Sequence, residues 1–264
     1  MYKISQSFLK DFSDYKSDFV DVCGLQIKAK FFDGMEFPSS QAMDLGNYFE
    51  YVATGCLPRN GKVPEAKVSY KGTARETVSA PWKRANESAE LFKEIVKEYN
   101  IEIIDVGVSL QNEKMNGIAD IYAKWNDRYC FIDLKYSGLI ENKWDERGWE
   151  INALPEKHKL MIQGVQYTLL AEDCLNHKPE DFDFYYFVFS QANSKDAKII
   201  KQVIDSSTLE LHRTNVDFVF NQINSNPIDK IFKAKPSLKS CSKCPLNDSC
   251  EYATKFPLIE KVYY

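Results

Sequence analysis

Asp120, Asp133 and Lys135 lie in two short apolar segments, 117–125 and 129–136, joined by Asn126-Asp127. Asn-Asp suits a tight hairpin turn. With those two as the turn, opposed residues sum to a constant, so Asp120 faces Asp133 on one side of a sheet. Their Cβ atoms are then roughly 4.5–5.5 Å apart. Two facing carboxylates repel unless a cation lies between them. Hard oxygen ligands suit Mg²⁺ or Mn²⁺. Lys135 is two residues beyond Asp133, hence on the same face. Its ammonium there orients an attacking water and offsets charge developing on a phosphate. The backbone carbonyl of Leu134 is a further candidate ligand. Phe131-Ile132 mark a central strand, where charge needs a reason. Taken alone, D-x12-D-x-K reads equally as a solvated hairpin face, and one extra turn residue would move Asp120 off register.

The elements that must hold these residues follow from periodicity. Helices are expected over 5–20, with Phe8, Leu9 and Phe12 at helical spacing, over 39–54, stopped by Gly55, and over 82–99, with Leu91, Ile95 and Val96 on one face. The stretch 56–80, with its prolines and glycines, reads as an exposed loop. Strands are expected over 101–110, 117–125 and 129–136. A Trp- and charge-rich loop over 137–154 precedes a helix from Pro155 to Ala171. Strands over 182–190 and 198–204 and a helix over 207–222 complete the core. The pattern predicts an α/β fold, a central mixed β-sheet flanked by helices. A single domain is expected over 1–264, with an N-terminal helical segment 1–56, a core 82–204 and a C-terminal helix with a cysteine cluster over 205–264.

Cys241, Cys244 and Cys250 form C-x2-C-x5-C. Such spacing lets one loop wrap a metal centre. Three ligands need a fourth, from Cys23, Cys56, Cys130 or Cys174. Cys130 sits in the hairpin and reads as core. Zn²⁺ is one candidate occupant and reduced thiols are the plain alternative. His158, His177 and His212 read as ordinary surface or helix residues.

The composition, 44% hydrophobic and 27% charged, is that of a globular chain, and its net charge of −4 gives no global basic field. Any nucleic-acid contact must therefore be local. Lys83, Arg84, Lys143, Arg147, Lys157 and Lys159, with Trp144 or Trp149 stacking on bases, are candidates for a DNA groove. No apolar run reaches membrane-spanning length and the start carries no apolar signal segment, so a cytoplasmic protein without a membrane partner is expected. In a reducing compartment, clustered cysteines point to a metal rather than to disulfides.

Gly117-Ile-Ala-Asp120 followed by Phe131-Ile-Asp133-Leu-Lys135 resembles the signature of the PD-(D/E)XK nucleases, with Asp in a slot more often held by Glu. Gln163-Gly-Val-Gln-Tyr167 is similar to the Q-x3-Y motif of the RecB branch. Its Gln and Tyr fall on one helix face. Asp44-Leu-Gly46-Asn-Tyr-Phe-Glu50 resembles that family's first motif, with Glu50 where the family has His. A carboxylate there can still ligate Mg²⁺ or Mn²⁺. The motifs occur in family order over about residues 5–250. The resemblance implies a restriction-endonuclease-like core in which Glu50, Asp120, Asp133 and Leu134 hold the metal. It implies that Lys135 supports the attacking water, and that Gln163 and Tyr167 contact DNA or order the site. It further implies a 4Fe–4S cluster, as in the similar CRISPR-associated adaptation nucleases, on Cys241, Cys244, Cys250 and an upstream cysteine. Cys23 fits that place better than Cys56. Such a centre would join the N- and C-terminal segments.

The expected activity is metal-dependent DNA hydrolysis, acting on ends, in processing, recombination or repair, with a helicase or recombination protein as further partner. A rival is an inactive nuclease fold that holds DNA or a helicase. A third reading is a small-molecule hydrolase, which the Gln163/Tyr167 motif and the lack of an H-E-x-x-H motif disfavour.

Overall fold

A computed structural model describes residues 1–17, 22–58, 61–71, 75–138, 140, 158–237, 241–242 and 244–253. In chain order the elements are β1 (Ile4–Ser5), α1 (Gln6–Lys16), α2 (Gly24–Phe31), α3 (Gln41–Thr54), β2 (Val68–Lys71), β3 (Arg75–Val78), α4 (Ala80–Glu98), β4 (Glu102–Gln111), β5 (Met115–Trp125), β6 (Arg128–Ser137), α5 (His158–Leu175), β7 (Phe182–Ser190), β8 (Ala197–Gln202), α6 (Ser206–Ser225) and α7 (Ile228–Ile231). Chain contacts divide them into two compact units. One comprises Ser39–Asn112 with Asn116–His212; the other comprises Met1–Pro38, Glu113–Met115 and Arg213–Tyr264.

In the larger unit, α3 is bounded as its sequence dictates. The Ser40 side chain accepts the Met43 N–H, and Gly55, at φ 78°, closes the helix with its N–H on the Tyr51 carbonyl. The expected loop 56–80 needs correction: β2 and β3 pair antiparallel within it, from Val68 opposite Val78 to Lys71 opposite Arg75. These strands are too short to show an apolar alternation. The helix expected from Pro155 runs on past Ala171 to Leu175, and Pro155 itself lies outside the described residues.

The unit's sheet is mixed. β4 pairs with β5 and β5 with β6, both antiparallel; β6 pairs with β7 in parallel and β7 with β8 antiparallel. The parallel step is reached through α5, because parallel neighbours need a crossover. Every residue of β7 is buried, which marks it as central. One sheet face, including Ile121, Ile132, Leu134, Phe187 and Phe189, packs against Phe49 of α3 and Trp82, Ala89 and Phe92 of α4. On the other face Tyr167 of α5 meets Phe131 and Phe184.

The smaller unit is stapled by backbone and tyrosine contacts. The Gly24 N–H bonds to the Lys233 carbonyl at 3.1 Å. A Cβ at residue 24 would stand 2.6 Å from that carbonyl oxygen, so only glycine permits this approach. Tyr15 Oη donates to the Ile231 carbonyl and accepts the Lys233 N–H, at 3.1 and 2.9 Å. Phe8, Phe12 and Phe232 meet edge-on between them. α1 stops at Lys16, short of the expected 20, where the Ser17 backbone turns extended. Among the described residues no helix is long and apolar enough to cross a membrane.

Candidate active site and cysteine pocket

Asn126 and Asp127 both adopt positive φ, 51° and 60°. That is the two-residue turn whose twist matches flanking strands. It sets the β5–β6 ladder, which runs from Trp125 opposite Arg128 to Ile121 opposite Ile132. Continued by one step, the register sets Asp120 against Asp133. Backbone pairing ends there. Asp120 turns its carboxylate into the gap, and Oδ2 accepts the Leu134 N–H at 2.8 Å. The strands therefore fork at the acids. The N–H and C=O of one strand residue point to the same edge, so the Leu134 carbonyl also points into the fork.

Asp133 is 1% exposed. Gln163 Nε2 donates to its Oδ1. Lys135 Nζ lies 2.6 Å from its Oδ2. Oδ2 is thus ion-paired with Lys135 while Oδ1 is hydrogen-bonded by Gln163. A carboxylate is a hard oxygen donor of the kind that suits Mg²⁺ or Mn²⁺. Burial pushes Asp120 well above the usual carboxylate range, and the charges of Asp133 and Glu50 add to the rise; Lys135 and the Leu134 N–H oppose it. Burial also raises Asp133, with Lys135 and Gln163 pulling back. Burial works against the Lys135 ammonium, but Asp133 and Asp120 outweigh it and hold the lysine at about 12. It is a fixed positive charge at neutral pH.

Glu50, on α3, is half-buried, and its charge reaches Asp120. Tyr167 is 2% exposed and donates to the Ile118 carbonyl at 2.7 Å. Its ring fills the space where a Cβ at Gly117 would stand. Gln166 Nε2 donates to the Asn116 carbonyl at 3.0 Å. This face of α5 thus fastens the β5 segment that leads into Asp120.

Sequence reasoning passed over Tyr186. It lies beside Asp133 on β7, is 1% exposed, and its phenol is raised by burial and by the Asp133 charge. Only the parallel register reveals it. Among the candidate basic residues, Lys83 lies 3.9 Å from Glu87 and Arg84 Nε donates to the Gln191 carbonyl. Lys143, Trp144, Arg147, Trp149 and Lys157 lie outside the described residues, as does the Lys159 side chain. His177 Nε2 is 2.6 Å from Tyr122 Oη, and burial pushes His212 down to about 4. The His158 side chain lies outside the described residues.

In the smaller unit Cys23, Cys241, Cys244 and Cys250 line one pocket, with Leu25, Pro236 and Leu246 among its walls. The Lys235 N–H points at Cys23 Sγ (3.5 Å) and the Leu246 N–H at Cys244 Sγ (3.4 Å). N–H donors of this kind stabilise metal-bound thiolates. Tight turns follow Cys241, Cys244 and Cys250, each carbonyl accepting the N–H three residues on. Cys56 belongs to the larger unit, its Sγ packed under Gly107. Cys130 is buried in the hairpin and Cys174 Sγ donates to the Gln111 carbonyl at 3.3 Å. Among the described residues no three His, Cys, Asp or Glu side chains already converge to grip an ion. The fit of both sites is one of donor type and placement.

No described protein family and no curated protein matches this sequence. A crystal structure from Eubacterium rectale, described as a "putative exonuclease", is similar over 99% of this chain and 91% of its own, at 18% identity and a TM-score of 0.62. The two share a fold over nearly the whole length. A second solved structure aligns over 95% of this chain and 87% of its own at 10% identity; its TM-score of 0.36 carries no argument.

Proposed function

We propose that the chain is a divalent-metal-dependent DNA nuclease of the PD-(D/E)XK superfamily, RecB type, acting as an exonuclease in DNA processing, recombination or repair. The observation that carries this reading is Asp133. It is a fully buried carboxylate, set against Asp120 by the hairpin register, held by Gln163 and paired with Lys135. The description of the Eubacterium rectale neighbour supports the same activity.

Asp120, Asp133, Glu50 and the Leu134 carbonyl would hold Mg²⁺ or Mn²⁺. The bound cation supplies an activated water and neutralises charge on the phosphate. Lys135, kept protonated by Asp133, orients that water and offsets charge on the transferring phosphoryl group. Gln163 fixes the rotation of the Asp133 carboxylate through Oδ1. Tyr167 and Gln166 hold the strand that carries Asp120. Cys23, Cys241, Cys244 and Cys250 would hold a 4Fe–4S cluster, with Zn²⁺ as the alternative, as a structural clasp between the chain's two ends. The partners of this reading are DNA and a helicase or recombination protein, and its setting is the cytoplasm.

The test is cleavage of end-labelled linear and circular DNA, single- and double-stranded, with Mg²⁺ or Mn²⁺, using anaerobically purified protein. Degradation of linear forms that vanishes in Asp133→Ala and Lys135→Ala is expected. Folded, metal-loaded protein that cleaves nothing would favour a DNA- or partner-holding module. Turnover of a small phosphoester without DNA cleavage would favour a small-molecule hydrolase.

A further inference from the structure

β6 ends two residues beyond Lys135, and what finishes it lies far away in sequence. Gln191, the first residue after β7, donates its backbone N–H to the Ser137 carbonyl at 2.8 Å. Its side-chain Nε2 donates to the Tyr136 carbonyl at 2.9 Å. Its own carbonyl accepts Arg84 Nε, from the first turns of α4, at 2.8 Å. One residue thus satisfies the last two carbonyls of the strand that carries Asp133 and Lys135, and is itself held from a third element. Tyr136 extends the linkage: its ring stacks on Phe49 at 5.0 Å and 14°, and Phe49 precedes Glu50 on α3. Arg84, Gln191, Tyr136 and Phe49 form one continuous chain of contacts. It runs from the N-terminal turns of α4 to the flanks of both Lys135 and Glu50.

We propose that Gln191 and Arg84 are positioning residues for the candidate active site. They fix the end of β6, and through Tyr136 they set Lys135 and Glu50 at one spacing. A displacement of about 1 Å at reacting groups costs up to about 10²-fold in rate. A strand end with two unmet carbonyls is free to shift that far. The arginine acts through its directed Nε–H and not through charge alone, since lysine has no donor at that place.

This inference rests on the nuclease reading, and the test separates the two. Wild type, Gln191→Ala, Arg84→Lys and the double variant are compared for DNA cleavage at saturating Mg²⁺ across DNA and salt concentrations. Amide exchange at Lys135, Tyr136 and Ser137 is followed in parallel. Each single variant is expected to lose about tenfold or more in kcat, with KM and its salt dependence unchanged and faster exchange at the end of β6. The double variant should lose no more than the worse single one, because both cut the same linkage. A loss confined to KM, steepened by salt and rescued by lysine, would make Arg84 a phosphate contact and overturn the proposal. So would unchanged kcat, or exchange that stays slow. If wild type cleaves nothing, the nuclease reading falls, while exchange still decides whether Gln191 holds β6.

Discussion

At the strand fork, the candidate ligands are hard oxygens from adjacent strands and a nearby helix, crowded where burial raises the pKa of both aspartates and repulsion adds to the rise of Asp120. In the cysteine pocket they are soft sulfurs from distant stretches of chain; the backbone donor at Cys23 comes from 212 residues away. The fork is held by the packing of its sheet against α3, α4 and α5. The pocket is walled by short turns and by Leu25 and Gln26 at the start of α2. The contrast teaches a division of labour. On the proposed reading a cation at the fork would answer a local electrostatic conflict and serve chemistry, whereas a centre in the pocket would serve cohesion.

Four experiments can break or sharpen that division. Asp133→Ala should lower cleavage by about 10³-fold or more and, by leaving Lys135 and Gln163 without their partner, cost the metal-free protein about 3 kcal/mol or more. A fall in melting temperature with cleavage intact would reverse the assignment. Cys23→Ser should empty the pocket of iron or zinc by elemental analysis. It should also destabilise the fold by about 3 kcal/mol or more, with residual cleavage retained at low temperature. Tyr167→Phe strands the Ile118 carbonyl, and should cost about 1–3 kcal/mol in denaturant melts and lower kcat without changing KM.

The smallest effect is one of pH. Folded, both aspartates hold their protons above the ordinary carboxylate value of about 3.9; unfolded, they release them there. In that window the native state binds more protons, so stability falls as pH rises. Melting curves of chelated protein should show this decline from about pH 4 upward relative to Asp120→Asn, and added Mn²⁺ should abolish it. An identical profile for Asp120→Asn would remove the electrostatic conflict from the account.

How much of this could be read from the sequence depended on range. Gly55 marked the end of α3, and Asn126-Asp127 fixed the hairpin register, because caps and turns act over a few residues. The run 182–190 of aromatic and β-branched residues announced β7 to the residue. The spacing of the tail cysteines singled them out, and the pocket that they share with Cys23 is seen only in the fold. Tyr186 and Gln191 were illegible, since one acts through a parallel register and the other across 55 residues from a loop. β2 and β3 were missed because polar four-residue strands carry no period. Gly117 reads as part of a motif, yet its immediate cause is the Tyr167 ring, 50 residues away.

Gly24 and Lys233, joined backbone to backbone, also set a timetable. The smaller unit draws on Met1–Pro38 and on Arg213–Tyr264. A ribosome adding about 5–20 residues per second takes roughly 9–35 s to travel from the first stretch to the second. Through that interval Phe8, Phe12 and Tyr15 have no Phe232 to cover them. The earlier-made segment thus waits for its later-made partner, and it is there that a nascent chain of this protein exposes apolar rings.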